Sequence, residues 1–255
     1  MYTIVITRPA VQSQVLCKRL KALKMRVILA PSIETKLTPR SAQERQVISA
    51  LKAKGFDWLV FTSANGVNFF AQVLKRNRVP ISVLRGISVA VQGPKTSQRL
   101  KELLHVRSRV APREALAEEL VAVFGKLKMQ GKRVLLAVAQ ETRDVLEPAL
   151  RRQGALVTKL PVYHTSPVPL STSVRRQILK CSPSELIITF FSPSAVRSFV
   201  RSLKAPPGFL SKALIASIGP VTSRGLEEQG VAVEIEARDH TEEGLLREIE
   251  GLGVV

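Results

Sequence analysis

The chain is poor in the residues from which cofactor and metal sites are usually built. It carries 2 cysteines and 3 histidines in 255 residues. Two cysteines make no disulfide framework, and their scarcity fits a reducing compartment. His105, His164 and His240 lie far apart, and neither C-x-x-C nor H-E-x-x-H occurs, so no metal site is expected. G-x-G-x-x-G and G-x-x-x-x-G-K-[ST] are also missing, which removes any sequence-evident dinucleotide or P-loop site; no cofactor is expected. No apolar run approaches the ~18 residues of a membrane span, so no membrane partner is expected either. The opening MYTIVITRPA places Arg8 and Pro9 where a signal peptide needs an apolar centre. It reads as a first strand, so no export is expected and the expected compartment is the cytoplasm.

Acidic residues are scarce as well: 20 Asp and Glu stand against 39 Lys and Arg, a formal charge of +19. That balance favours a polyanionic partner without saying which. Nucleic acid is the obvious class, but only 12 aromatic residues are available to stack on bases (9 Phe, 2 Tyr, 1 Trp) and no recognised module occurs. The basic residues are dispersed, with pairs such as Arg151-Arg152 and no basic tail; plain solubility explains them equally well.

What is present is a fold-forming composition and a repeat. The hydrophobic fraction of 45% and charged fraction of 23% are ordinary for a folded chain, which excludes wholesale disorder. LVFTSANGVNFF (Leu59 to Phe70) resembles ITFFSPSAVRSF (Ile188 to Phe199), pairing Ser63 with Ser192, Val67 with Val196 and Phe70 with Phe199. VAVQGPKTSQRL (Val89 to Leu100) resembles IASIGPVTSRGL (Ile215 to Leu226), pairing Gly93, Pro94, Thr96 and Leu100 with Gly219, Pro220, Thr222 and Leu226. A fainter match joins the opening TIVITRP region to RVLLAVA from Arg133 onward. The chain reads as two tandem copies of about 130 residues.

Each copy has a physical reading. Leu59 to Phe61 and Leu186 to Phe190 are short apolar strands. After them, Val67, Phe70, Ala71 and Leu74, and likewise Val196, Phe199, Val200 and Leu203, form the i, i+3, i+4, i+7 stripe of a helix with one buried face. Ser63 and Ser192 stand at the junction, where an N-cap belongs. Pro94 and Pro220 suit the first position of a helix, with Thr96 and Thr222 in its first turn. Alternating strands and helices predict an α/β fold with mainly parallel sheets. Two proline-bracketed stretches, Pro31 to Pro39 and Pro161 to Pro169, lack helical period and read as extended linkers. They bound a central segment, so the chain leaves one domain, builds a second and returns.

In open parallel sheets ligands bind at the carboxyl ends of strands, where helices begin. Helix starts present free N–H groups and partial positive charge, which suit carboxylates and phosphates. Five junctions carry candidates: Thr7 with Arg8, Ser63 with Ala64, Gly93 with Lys95 and Thr96, Ser192 with Ser194, and Gly219 with Thr222. Two such edges could clasp a polyanion, or the serines serve only as caps. Pro193 lacks an N–H, so its junction offers one donor fewer than the one at Ala64. Tyr163 lies in a linker and could project into a cleft or simply pack. His164 beside it reads as incidental. Glu242 and Glu243 after Thr241 read as first-turn acids with Thr241 as cap.

At this point VITRP, DWLVFTSANGV, VAVQGPKT, GALVTKLPVYHT, IITFFSPSAV, ASIGPVT and HTEEGLL, in that order, resemble the uroporphyrinogen-III synthase family over essentially the whole chain. Gln92 and the AVAQ of Ala137 to Gln140 depart from the family pattern. The resemblance implies two similar three-layer α/β lobes joined by a two-stranded antiparallel linker: 1–32 with 170–255, and 38–162, with linkers near 33–37 and 163–169. It implies a hydro-lyase that cyclises hydroxymethylbilane, a linear tetrapyrrole polycarboxylate, with loss of water and inversion of ring D, in the synthesis of heme, siroheme and cobalamin. No cofactor is implied. A monomer is implied, and transient contact with hydroxymethylbilane synthase is compatible with it. By the motif VYHT, Tyr163 is carried over as the acid assisting departure of the hydroxyl. Thr7, Arg8, Ser63, Ala64, Gly93, Lys95, Thr96, Ser192, Ser194, Gly219 and Thr222 are the candidate substrate contacts, with Thr96 and Thr222 assigned to carboxylate binding or helix-start geometry. The competing expectation is a two-lobed polyanion-binding protein without catalysis.

Overall fold

The structure, a computed structural model, describes residues 2–112, 116–141 and 145–251. In chain order its elements are β1 (Thr3–Ile6), α1 (Gln14–Ala22), β2 (Arg26–Leu29), β3 (Ile33–Leu37), α2 (Ala42–Lys52), β4 (Trp58–Phe61), α3 (Ala64–Arg76), β5 (Ser88–Val91), α4 (Pro94–Leu104), α5 (Ala117–Gly125), β6 (Arg133–Ala139), α6 (Leu146–Arg152), β7 (Leu156–Pro167), α7 (Thr172–Leu179), β8 (Leu186–Phe190), α8 (Pro193–Leu203), β9 (Leu214–Ser217), α9 (Pro220–Glu227), β10 (Ile235–Glu236) and α10 (Glu242–Glu250). Contacts divide the chain into two compact units, Met1–Glu34 with Ser166–Val255, and Thr35–Thr165. Among the described residues no helix is long and apolar enough to cross a membrane.

The first unit is built on a five-stranded sheet of order β10-β9-β8-β1-β2. All four pairings are parallel. Ile4, Ile6 and Ile187 face one layer of helices with Leu16, Leu20 and Leu245. Val5, Ile188 and Phe190 face the other, against Val196, Phe199 and Leu226. The strands are apolar on both faces because both faces are covered, the normal consequence of parallel crossovers.

The second unit repeats this plan with a sheet of order β3-β7-β6-β4-β5. The pairings among β7, β6, β4 and β5 are parallel. Leu59, Phe61, Val89 and Leu135 pack against Val67, Phe70 and Leu100. Trp58, Val60 and Leu136 pack against Leu120, Phe124 and Leu150 on the opposite face. The fold is thus α/β with two mainly parallel sheets. The two proline-bracketed stretches, read as extended linkers, form strands: β3 is a hydrogen-bonded neighbour of β7, and β7 runs unbroken for 12 residues.

One buried ion pair pins the second unit. Glu44 of α2 is almost fully buried and accepts hydrogen bonds from the Arg76 guanidinium, while Asn77 Nδ2 donates to it at 2.7 Å. Arg76 also donates to the Thr38 carbonyl at 2.7 Å. Burial holds the Arg76 guanidinium below its ordinary pKa, with the nearby Arg40 adding to the effect.

Candidate active site

Both sheets reverse their strand order at one point, and the sequence-derived candidates gather at the carboxyl ends of the strands there. In the second unit the chain runs from β4 outward to β5, then returns to place β6 on the other side of β4. In the first unit it runs from β1 to β2 and returns to place β8 on the other side of β1. Such switch points are where the following helices diverge and a ligand finds room.

At the second unit's switch point, Ser63 is extended and its Oγ accepts the Gly66 N–H at 3.0 Å, capping α3. Ala64 is the first residue of α3. Gly66 is required by proximity: a Cβ there would lie 3.0 Å from the Ala137 carbonyl oxygen of β6. That closeness brings the start of α3 against the end of β6.

Tyr163 lies within β7. It is paired with Ala139 at the end of the β6–β7 ladder, and its carbonyl accepts the Gln140 N–H at 2.8 Å. The ladder slips between Val138, opposite Pro161, and Ala139, opposite Tyr163. Strict alternation would send Val162 and Tyr163 to opposite faces. With one extra residue on β7, Leu160, Val162 and Tyr163 all pack on the α3 face. The Tyr163 ring stacks on Phe69 at 5.2 Å and 21°. Its hydroxyl oxygen lies 3.2 Å from Ser63 Oγ. Sequence reading missed Phe69; its position six residues beyond the cap, next to the stripe residue Phe70, was the available signal. His164, read as incidental, is half-buried, and its Nδ1 has no partner among the described residues.

The neighbouring β5–α4 junction turns through Gly93, whose φ of +84° is left-handed and suits glycine. Pro94 occupies the first helical position as expected. Thr96 is buried and donates to the Gln92 carbonyl at 3.0 Å, so its hydroxyl serves the helix start. Lys95 is exposed.

At the first unit's switch point, Ser192 Oγ accepts the Ala195 N–H at 3.2 Å and caps α8. Ser194 Oγ accepts weakly from Arg197 at 3.4 Å. Thr7 is fully buried, and its hydroxyl donates to the Thr189 carbonyl at 2.8 Å, tying β1 to β8. Arg8 is partly exposed. Its guanidinium lies 5.4 Å from the Phe191 ring centroid, donates to Gln12 at 2.9 Å and pairs with Glu242 at 2.6 Å. Glu242 therefore does more than complement the start of α10, where Thr241 does accept the Gly244 N–H. Gly219 N–H donates to Ser217 Oγ at 3.2 Å, and a Cβ on Gly219 would sit 2.8 Å from the His240 ring. Thr222 is buried in the first turn of α9, as Thr96 is in α4.

Taken chemically, each edge offers helix-start N–H groups and hydroxyls rather than a conventional acid–base pair. One phenol, Tyr163, stands among them. Among the described residues no group of three or more His, Cys, Asp or Glu is placed to hold a metal ion.

Comparison with known proteins is consistent along the chain. The sequence model of a family described as uroporphyrinogen-III synthase HemD matches residues 14–247. The chain is similar to a protein named uroporphyrinogen-III synthase from Synechococcus elongatus, with 32% identity covering 97% of this chain and 94% of that one. It is similar to another of that name from Chlorobaculum parvum, with 26% identity over 92% of each. Among solved structures, uroporphyrinogen-III synthetase from Helicobacter pylori superposes with a TM-score of 0.66 at 21% identity, covering 99% of this chain and 100% of that one. A mutant uroporphyrinogen III synthase from Thermus thermophilus gives 0.60 at 18% identity, covering 99% and 98%. These structures share the fold.

Proposed function

The chain belongs to the uroporphyrinogen-III synthase family, and from that premise we propose that it is a cyclising hydro-lyase that converts hydroxymethylbilane into uroporphyrinogen III with inversion of ring D. The observation that supports this reading best is a single phenol held by two neighbours at the carboxyl edge of a sheet, beside the start of α3. A tetrapyrrole with eight carboxylates needs many anion contacts, and helix-start N–H groups supply them without matched basic side chains.

The chemistry asks little of acid–base strength. The electron-rich pyrrole pushes the hydroxyl out. Tyr163 Oη donates its proton to the departing oxygen as the C–O bond breaks, and water leaves. Ring D then closes through its substituted carbon by way of a spiro intermediate, and the phenolate takes back the proton released on rearomatisation. Closure without a catalyst gives the uninverted isomer, so the main task is to hold a flexible chain in one arrangement. Ala64, Ser192, Ser194, Gly93, Gly219, Arg8 and Lys95 are the proposed contacts, and Ser63 stands behind Tyr163. Thr7, Thr96 and Thr222 act behind them, through the sheet and the helix starts. The enzyme would act as a cytoplasmic monomer that takes the unstable bilane from hydroxymethylbilane synthase by transient contact, without nucleic acid or membrane.

The test is an isomer assay. Hydroxymethylbilane is generated in place, the protein is added, and isomers I and III are separated after oxidation. The expected product is isomer III, with isomer I in the protein-free control. Tyr163→Phe should lower turnover several-fold, within the range of a single positioned proton donor. Isomer I alone from folded protein would leave a polyanion-binding protein without catalysis.

A further inference from the structure

Ser63 does two things with one hydroxyl. Its Oγ accepts the Gly66 N–H at 3.0 Å and lies 3.2 Å from Tyr163 Oη. The first bond fixes one lone pair of the serine oxygen. If Tyr163 is to give its proton to a substrate, that proton cannot point at Ser63. The serine must then be the donor in the second bond.

We infer that Ser63 is a positioning residue for Tyr163, its hydroxyl carrying the polarity of the α3 start to the phenol oxygen. This rests on the functional reading above. The chain runs from Gly66 N–H to Ser63 O–H, then to Tyr163 O–H and outward to the leaving group. Each donor in such a series is strengthened by the one behind it. When Tyr163 releases its proton, the oxygen left behind accepts the Ser63 hydroxyl and faces the positive end of α3. Phe69 holds the ring from the side by stacking at 5.2 Å, and the register slip at Ala139 brings Tyr163 to that face. Ser63 thereby serves Tyr163 and need not touch substrate. The corresponding serine of the first unit, Ser192, caps its helix in the same way, but the residue matching Phe69 is Ser198, which donates to the Val168 carbonyl instead.

The experiment is a double-mutant cycle on Ser63→Ala and Tyr163→Phe, read as kcat and KM for isomer III. Ser63→Ala should lower kcat by about threefold, the scale of one net hydrogen bond, with KM unchanged. In the Tyr163→Phe background it should lower kcat no further. Ser63→Thr, which keeps the hydroxyl and the cap, should restore kcat. Ser41→Ala removes the equivalent cap of α2 away from the site, and should lower stability without changing kcat. The chain has only two tyrosines, so carbon-13 labelling of their Cζ atoms gives two resonances. Ser63→Ala should move that of Tyr163 and leave that of Tyr2. Equal kcat losses in both backgrounds, or a loss confined to KM, would overturn the role of Ser63 alone. A parent protein yielding only isomer I would overturn both this role and the functional reading beneath it.

Discussion

The two junctions that follow β4 and β8 are similar in sequence, and setting them side by side separates what the fold requires from what a site requires. Each has an apolar strand, a serine cap and a phenylalanine that returns to the strand edge-to-face: Phe61 on Phe70 at 5.4 Å and 71°, Phe190 on Phe199 at 5.4 Å and 84°. These four rings are fully buried, and close packing leaves them little freedom to change. The differences lie at the strand ends. Ala64, Gly66 and Phe69 of one copy stand where Pro193, Ala195 and Ser198 stand in the other. The first set lets α3 approach β6 and holds Tyr163. The second packs Pro193 against α9, where a Cβ on Gly225 would come within 2.9 Å of it, and leaves the adjacent edge to Arg8. The two copies agree in the core and differ at the edge.

The strongest test of that equivalence is in the core. Phe70→Ala and Phe199→Ala should each cost about 3–5 kcal/mol in denaturant unfolding, because each deletes a buried ring from a close-packed layer. Clearly unequal losses would break the parallel between the copies.

A smaller effect should divide the edges by role. Arg8→Ala removes a partly exposed cation from the first unit's edge and is expected to raise KM for isomer III formation about fivefold, close to 1 kcal/mol of binding, with kcat little changed. Tyr163→Phe should instead act on kcat. If Arg8→Ala fell mainly on kcat, the edges would not divide into holding and reacting.

The smallest effect distinguishes the strand entrances. Asp57, before β4, accepts hydrogen bonds from the Arg133 guanidinium and from the Arg133 N–H, the latter at 2.8 Å, and both hold its carboxyl below the usual range. Leu186 occupies the matching place before Ile187 in the other copy. A carboxyl with a lowered folded pKa contributes stability that is present above the unfolded value and lost as pH falls through the folded one. Asp57→Asn should therefore flatten the acid limb of stability against pH, by less than about 1 kcal/mol because the pair is solvent-exposed. Thermal melting across the acid range checks it.

Much of the fold was readable before any coordinates. The helical stripes at Val67, Phe70 and Leu74 and their counterparts, the caps Ser63 and Ser192, and the helix-opening prolines Pro94 and Pro220 all follow local rules that act over a few residues. The site was less readable. Thr7, Thr96 and Thr222 stood as candidates because a hydroxyl near a helix start can bind an anion; that all three are buried, and that Thr7 and Thr96 donate to backbone carbonyls, depends on packing that no local pattern announces. The pairing of Arg8 with Glu242 spans 234 positions, and no local pattern announces it. Tyr163 read as a linker residue because prolines bracket it; that the stretch continues the long strand β7 depends on pairing with β6, which lies far off along the chain.

Sequence alone settles the strand-to-helix units around β4, β5, β8 and β9 and which family the chain resembles, because periodicity, capping and turn chemistry are properties of neighbouring residues. It does not settle which way Tyr163 faces. That depends on a one-residue slip between two strands, a glycine that lets a helix approach, and a ring 94 positions earlier that receives the phenol. Each is a contact between residues distant along the chain, and such contacts exist only once the sheet has formed.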